Sequence, residues 1–193
     1  MIRALSVLVL LALMMNAAPA PADEAVSPPA FEPARLEAEK GPYLIGPLTR
    51  DGWLAFEPDL AAEIAEYEPS PDLVKALAYT KHDVTVTCVL GTWCSDSRRE
   101  VPRFWKLLDL MDVPDLELVM IAVGRTDAPE AVLWLEENGI APGYRERFDI
   151  ELVPTFIVTE NGEEIGRIVE TPEISLEADL AAILGVSATP AWH

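Results

Sequence analysis

The chain has 193 residues, of which 50% are hydrophobic and 24% are charged. This composition is typical of one globular domain with an extension, and it excludes a wholly disordered or collagen-like chain. Acidic residues outnumber basic ones by 33 to 14, for a formal net charge of −19. Nucleic acid and anionic membrane surfaces are therefore not expected as partners, because phosphate binding needs clustered Lys and Arg. Two cysteines do not make a disulfide-rich scaffold.

Residues 1–22 have the three parts of a secretory signal peptide. Arg3 is the charged side chain near the start, residues 4–15 are apolar, and residues 20–22 read Ala-Pro-Ala, which offers small side chains for cleavage. The apolar run is far short of the ~20 residues that a membrane-spanning helix needs. We therefore expect a secreted protein of the periplasm, a compartment where thiols tend to be oxidised, with no membrane insertion after signal cleavage.

Two segments precede the main domain. Residues 23–35 are rich in Ala, Pro and Glu, which predicts a flexible leader. Residues 36–82 are predicted as an N-terminal helical extension that packs on the sheet, and the alternative is that they form a surface for a partner. Within it, residues 41–52 hold two prolines and three glycines, which predicts a turn-rich stretch. A short helix is expected over residues 58–67, and a second one after Ser70.

Residues 83–193 are predicted to form one α/β domain. Alternating β-branched residues, helix caps and an Asn-Gly turn set the order strand, helix, strand, helix, strand, strand, helix. The first three elements form a β-α-β unit with a parallel pair, and the last two strands form an antiparallel hairpin. This order predicts a mixed sheet of four to five strands with helices on both faces. The expected elements cover residues 83–91, 95–111, 116–123, 128–138, 155–159, 163–169 and 175–184.

Cys94 stands where the first strand of this domain gives way to a helix. The free N–H groups and the dipole at a helix N-terminus stabilise an anion, so a thiolate is favoured there. Ser97 follows one helical turn later, and its hydroxyl could donate a hydrogen bond to the sulfur. Arg98 and Arg99 add positive charge to the same turns. The alternative is an inert, partly buried cysteine before a capped helix.

Residues 89–97 read Val-Leu-Gly-Thr-Trp-Cys-Ser-Asp-Ser, with Pro102 in the following helix. This stretch resembles the active-site strand, Trp-Cys-x-x-Cys motif and kinked helix of the thioredoxin family, and Val153-Pro154-Thr155 resembles that family's second landmark. The resemblance covers about residues 83–186. It implies a thioredoxin-like fold, Cys94 as the nucleophile and Trp93 beside it. It also implies a cis bond before Pro154, with Val153 and Pro154 shaping a groove for an extended peptide or a thiol ligand.

Two positions depart from the family pattern. Ser97 replaces the second cysteine, and a serine does not form the S–S bond that releases a substrate from a mixed disulfide. Cys88 stands where many thioredoxins have a buried acidic residue. Three residues of extended strand from Cys88 to Gly91 already span roughly 10 Å, whereas a disulfide needs Cα atoms within about 7 Å. Cys88 is therefore interpreted as a buried core residue, with a role in resolution left open.

These features predict a monothiol thiol–disulfide oxidoreductase whose partners are protein or small-thiol substrates held as mixed disulfides. The alternative is a redox-inactive thioredoxin-fold module that binds a client in the groove beside Pro154. A one-cysteine peroxidase is disfavoured, because Gly91 stands where peroxiredoxins usually have Thr or Ser. No cofactor is expected, and no metal site either, since the spacing of Cys88, Cys94 and His82 matches no common copper site. Trp105 and Trp134 are interpreted as core or groove-lining residues.

Overall fold

The computed structural model describes residues 32–79, 83–114, 116–126, 128–140 and 143–187. The predicted signal peptide, the leader up to residue 31, His82 and His193 lie outside these ranges. The described elements are β1 (Ala34–Leu36), β2 (Tyr43–Leu48), α1 (Arg50–Phe56), α2 (Leu60–Glu66), α3 (Pro71–Ala78), β3 (Val84–Leu90), α4 (Ser95–Met111), β4 (Leu116–Ala122), α5 (Pro129–Glu137), α6 (Tyr144–Arg147), β5 (Thr155–Glu160), β6 (Glu163–Val169) and α7 (Leu176–Ile183).

None of these helices is long and apolar enough to cross a membrane, within the ranges just given.

The strands form a mixed sheet in the order β1-β2-β4-β3-β5-β6. Strands β3 and β4 are parallel, with Cys88 opposite Met120, and every other neighbouring pair is antiparallel. The predicted β-α-β unit, the closing hairpin and the last helix are thus confirmed, and together they form a thioredoxin-like α/β fold. The sheet has six strands rather than four or five, because the N-terminal extension contributes β1 and β2. Strand β1 also includes the last two residues of the predicted leader.

The prediction of a turn-rich stretch over residues 41–52 is wrong for most of its length. Residues 43–48 form β2, and five of these six residues are buried, since an apolar run covered on both faces is stable as a strand. Pro47 is tolerated because β1 pairs only with residues 43–45 and has ended before it. Helix α1 then starts directly, with Thr49 Oγ1 accepting a hydrogen bond from the Gly52 N–H at 3.0 Å.

The extension is partly helical, as predicted, and its helices share one hydrophobic core with α4 and α7. The ring of Trp53 on α1 lies edge-on to Trp105 on α4, with centroids 5.6 Å apart. Glu177 on α7 accepts hydrogen bonds from the Ser70 N–H, at 2.9 Å, and from the Tyr67 hydroxyl. These contacts cross the predicted boundary between extension and domain.

The local signals of the main domain are confirmed. Asn161 and Gly162 both have positive φ, at 52° and 84°, as a tight hairpin turn requires. Ser175 accepts a hydrogen bond from the Ala178 N–H and so caps α7. Helix α6 was not predicted, because four residues are too few to show a helical period.

Alternation along β3 separates two hydrophobic clusters. Val86, Cys88 and Leu90 point into the core beneath α4 and α7. Val89 points to the opposite face, into a second cluster that includes Val153. Because β3 and β4 are parallel, their carboxyl ends meet at one edge, and the loops that follow them lie side by side there.

Candidate active site

The loop after β3 brings Cys94 to the first turn of α4. Cys94 is the N-cap residue, with extended backbone angles of φ −94° and ψ 129°. Its N–H donates to the Gly91 carbonyl at 2.9 Å, and its carbonyl accepts from the Arg98 N–H at 3.0 Å. Cys94 thus lies at the helix end where the first N–H groups of α4 are free of intrahelical partners, although none of them bonds to its side chain.

The Cys94 thiol faces the loop before β5. Sγ donates a hydrogen bond to the carbonyl oxygen of Val153 at 3.2 Å. The Val153–Pro154 bond is cis, which confirms the prediction from the resemblance. Val153 and Pro154 are buried, whereas Cys94 is partly exposed. The two landmarks recognised in the sequence thus meet, and an incoming sulfur can approach Cys94 from solvent.

Ser97 lies beneath this thiol and is fully buried. Its hydroxyl oxygen accepts a hydrogen bond from the Gly91 N–H at 3.2 Å. The sequence analysis predicted a hydrogen bond from this hydroxyl to Cys94 Sγ, and residues 83–114 of the structure do not form it. In the structure Ser97 therefore ties the start of α4 to the end of β3, and so helps to hold the Cys94 loop in position.

Trp93 flanks the cysteine, as the resemblance implies, and its indole is held on two sides. Nε1 donates to the Val123 carbonyl at 3.0 Å, at the end of β4. The Arg125 guanidinium lies over the ring, 5.0 Å from its centroid. The indole also covers Gly91, where a Cβ would lie only 2.7 Å from the Trp93 Cε2 atom. A side chain at position 91 would displace this indole.

The arginines in the first turns of α4 are engaged by carboxylates. Arg98 forms an ion pair with Glu57, and Arg99 pairs with Asp96 at 2.9 Å and with Glu100 at 2.6 Å. The positive charge expected from Arg98 and Arg99 is therefore largely offset by neighbouring negative charge.

Cys88 has a different environment from Cys94. It is fully buried, and burial raises the pKa of its thiol well above the usual range. The side chain belongs to the cluster beneath α4, whereas Cys94 packs against the cluster on the opposite face of the sheet. Both thiols are free. A disulfide between them would require one side chain to change faces.

Two arginines near Cys94 were missed by the sequence analysis. Arg125 follows β4 and lies over the Trp93 and Tyr43 rings. Arg145, on α6, donates to the Gly124 carbonyl at 3.4 Å, which places it beside the residue that precedes Arg125. A signal for Arg125 was present, because it directly follows an apolar strand whose carboxyl end must meet the end of β3. Arg145 had none, since α6 is too short to be recognised.

The remaining candidates are structural. Trp105 is buried and donates to the Met120 sulfur at 3.2 Å, and Trp134 packs against the clusters around β2 and β4. Among the described residues, no group of three His, Cys, Asp or Glu side chains has the geometry of a metal site. The copper hypothesis involved His82, which lies outside those residues.

No protein-family model and no curated protein matches the chain. Several solved structures are similar at low identity. A protein of unknown function from Pseudomonas aeruginosa is 18% identical with a TM-score of 0.43, over 70% of this chain and 74% of that one. Thioredoxin from Fasciola hepatica is 16% identical with a TM-score of 0.33, over 54% and 81%. Thioredoxin f2 from Chlamydomonas reinhardtii is 15% identical with a TM-score of 0.33, over 48% and 71%.

Proposed function

We propose that this protein is a monothiol thiol–disulfide oxidoreductase that acts through Cys94. The observation that supports this most directly is the position of the Cys94 sulfur, at the first turn of α4 and 3.2 Å from the Val153 carbonyl oxygen. Position 97, where a dithiol enzyme has its second cysteine, is a buried serine. Cys88 is buried on the other face of the sheet, which argues against it as an internal substitute.

The first step is an exchange at sulfur. Cys94 loses its proton to solvent, and its thiolate attacks one sulfur of a substrate R–S–S–R′. A Cys94–S–S–R bond forms while the substrate S–S bond breaks. R′–S⁻ leaves with the electron pair and takes up a proton. One disulfide has replaced another, so no separate oxidant is needed.

The second step needs a thiol from outside the protein. An external thiolate R″–S⁻ attacks the substrate sulfur of the mixed disulfide, forms R–S–S–R″ and releases the Cys94 thiolate. The external thiol is oxidised and the R′ half of the substrate has been reduced, while the R half leaves in the disulfide R–S–S–R″. Ser97 offers no sulfur for an internal version of this step, so the mixed disulfide persists until such a thiol arrives.

We further propose that the protein works after export, on protein or small-thiol substrates. The N-terminal pattern of residues 1–22 supports export. Exported compartments keep many thiols oxidised, which would supply disulfides for Cys94 to attack.

The test treats the reduced protein, residues 23–193, with bis(2-hydroxyethyl) disulfide. Intact-mass analysis should find one hydroxyethylthio group per chain, peptide mapping should locate it on Cys94, and excess 2-mercaptoethanol should remove it. Cys88→Ser should form the adduct as the natural protein does, and Cys94→Ser should form none. A natural protein that forms no adduct would contradict the proposal and favour a redox-inactive binding module.

A further inference from the structure

A cavity of about 130 Å³ lies beside the candidate site. The loop after β4, helix α5 and helix α6 form its walls, so it is separate from the groove at Pro154. Its lining combines apolar side chains with two guanidinium groups, those of Arg125 and Arg145. In a chain with a net charge of −19, two arginines at one cavity stand out.

Arg125 is held in place mainly by aromatic rings. Its guanidinium carbon lies 5.0 Å from the Trp93 ring centroid and 5.6 Å from that of Tyr43. Such contacts fix the plane of the group but do not satisfy its N–H donors. The buried Nη1 atom has no hydrogen-bond partner within the part of the chain that the structure describes. Arg125 therefore keeps donor capacity at the cavity.

Arg145 forms the second cationic wall. It donates to backbone carbonyls, including that of Gly124 at 3.4 Å, and its buried Nε has no partner among the described residues. Burial holds the pKa of Arg145 below its usual value, against the opposing effects of Glu146 and Cys94. Arg145 bonds to the residue before Arg125, and Arg125 lies over the indole of Trp93, the residue before Cys94. A group bound between the two arginines would therefore be near the reactive sulfur.

Tyr144 provides a neutral donor at the same place. Only 3% of its surface is exposed, it lines the cavity, and its hydroxyl has no partner among the residues that the structure describes. Leaving a buried hydroxyl unpaired is unfavourable, so a ligand that accepts from it is stabilised. The lining also includes one carboxylate, Glu146, which is exposed. Two guanidinium groups and a phenol outweigh that single exposed charge, so the cavity favours an anion.

We propose that this cavity binds a carboxylate of the thiol or disulfide compound that exchanges with Cys94. The inference rests on the proposed exchange function and adds the substrate class, a sulfur compound carrying a carboxylate a short distance from its sulfur. Guanidinium groups are strong hydrogen-bond donors to carboxylates. The unpartnered Arg125 Nη1 and Arg145 Nε and the Tyr144 hydroxyl can each donate to one. Binding would hold the substrate sulfur beside Cys94.

Two disulfides of similar size test the preference. 3,3′-Dithiodipropionate carries two carboxylates, and bis(2-hydroxyethyl) disulfide carries none. The measured quantity is the ratio of their second-order rate constants for loss of the Cys94 thiol, at equal ionic strength. We expect the dianion to react about tenfold faster, since charge-assisted hydrogen bonds are worth that much or more. The net charge of −19 alone would give the opposite order.

Three variants assign the preference to the cavity. Arg125→Gln should lower the ratio about tenfold, and Tyr144→Phe should lower it by a smaller factor. Arg35→Gln is the matched control, because it removes the same charge from an exposed position on β1 that does not line the cavity. Its ratio should equal that of the natural protein. A ratio that is the same in all four proteins would overturn the inference.

Propionate, a carboxylate without sulfur, tests the cavity separately from the exchange at Cys94. In Cys94→Ser, propionate should shift the Trp93 indole N–H resonance, and Arg125→Gln in the same background should abolish that shift. If the neutral and anionic disulfides react equally and propionate causes no shift, this inference is wrong and the exchange function stands. If neither disulfide reacts with Cys94, the exchange function is wrong, and with it the assignment of a substrate to the cavity.

Discussion

Cys94 Sγ and the Val153 carbonyl oxygen are 3.2 Å apart, although 59 residues separate them in the chain. The contact joins the start of α4 to the loop before β5. Any group that bonds to the Cys94 sulfur must therefore lie against the backbone next to Pro154. Cys88 shares the strand that leads to Cys94 but has no such approach, because it is buried under α4.

Alkylation should distinguish the two thiols. In the native, reduced protein, iodoacetamide should label Cys94 and leave Cys88 unmodified, because burial raises the pKa of the Cys88 thiol and shields it from reagent. Peptide mapping gives the extent at each position, and the same reaction in urea should label both. Equal labelling under native conditions would contradict the assignment of Cys94 as the reactive thiol.

Ser97→Cys should create a dithiol centre. Position 97 is one helical turn after Cys94, so a 94–97 disulfide should form with little backbone movement. The sulfur would accept the Gly91 N–H more weakly than Ser97 Oγ does, at a cost of about 1 kcal/mol. The variant should gain insulin reductase activity with dithiothreitol as reductant, whereas the natural protein should accumulate mixed disulfides through Cys94.

Ser95→Cys is the matched control for that variant, because it adds a thiol to the same turn at an exposed position. Adjacent cysteines at a helix start are poorly placed to pair, so its activity should stay at the level of the natural protein. If the natural protein already reduces insulin, and Cys88→Ser abolishes this, Cys88 is the resolving residue and the monothiol mechanism is wrong.

Gly91→Ala should disturb the Trp93 indole. The new Cβ would lie 2.7 Å from Trp93 Cε2, so the ring must move and its bond to the Val123 carbonyl should be lost. A shifted indole N–H resonance and lower thermal stability are the expected readouts. In a Trp93→Ala background, Gly91→Ala should lower the thermal stability much less. An equal loss of stability in both backgrounds would show that the indole does not cause the loss.

Glu177→Gln should loosen the extension from α7. Its buried carboxylate accepts hydrogen bonds from the Tyr67 hydroxyl and the Ser70 N–H. We expect the free energy of unfolding in urea to fall by about 1–3 kcal/mol. Glu137→Gln, at an exposed position on α5, is the control and should leave it within about 0.5 kcal/mol.

The Glu177→Gln and Glu137→Gln variants should also differ in how their free energy of unfolding depends on pH. Burial raises the pKa of Glu177, whereas hydrogen bonds from Ser70 and Tyr67 lower it. The hydrogen bonds together have the larger effect, so the folded-state pKa is below its usual value. A depressed pKa stabilises the fold above the unfolded-state pKa of about 4.3, and this contribution is lost as pH falls through the folded value. The stability gap between the natural protein and Glu177→Gln should therefore narrow below about pH 4.

Features that depend on near neighbours in the chain could be read from the sequence. The β-branched run of β3, the Asn161-Gly162 turn and the Ser175 cap each need only a few adjacent residues, and all three are confirmed. The placement of Cys94 before a helix was also predicted from adjacent residues. The cis bond at Pro154 was predicted from the resemblance to the thioredoxin family.

Features that depend on contacts between distant parts of the chain could not be predicted from local sequence patterns. The stretch over residues 43–48 has turn-forming Gly and Pro, yet it becomes a strand because β4 offers it an edge and both of its faces are covered. Glu57 meets Arg98 only through folding, and this ion pair offsets a positive charge that the sequence analysis assigned to the site. The cavity has the same origin, since Arg125 comes from the loop after β4, whereas Tyr144 and Arg145 belong to a four-residue helix. Their side chains converge because β4 ends at the same edge of the sheet where the antiparallel strand β5 begins, a relationship that no local periodicity encodes.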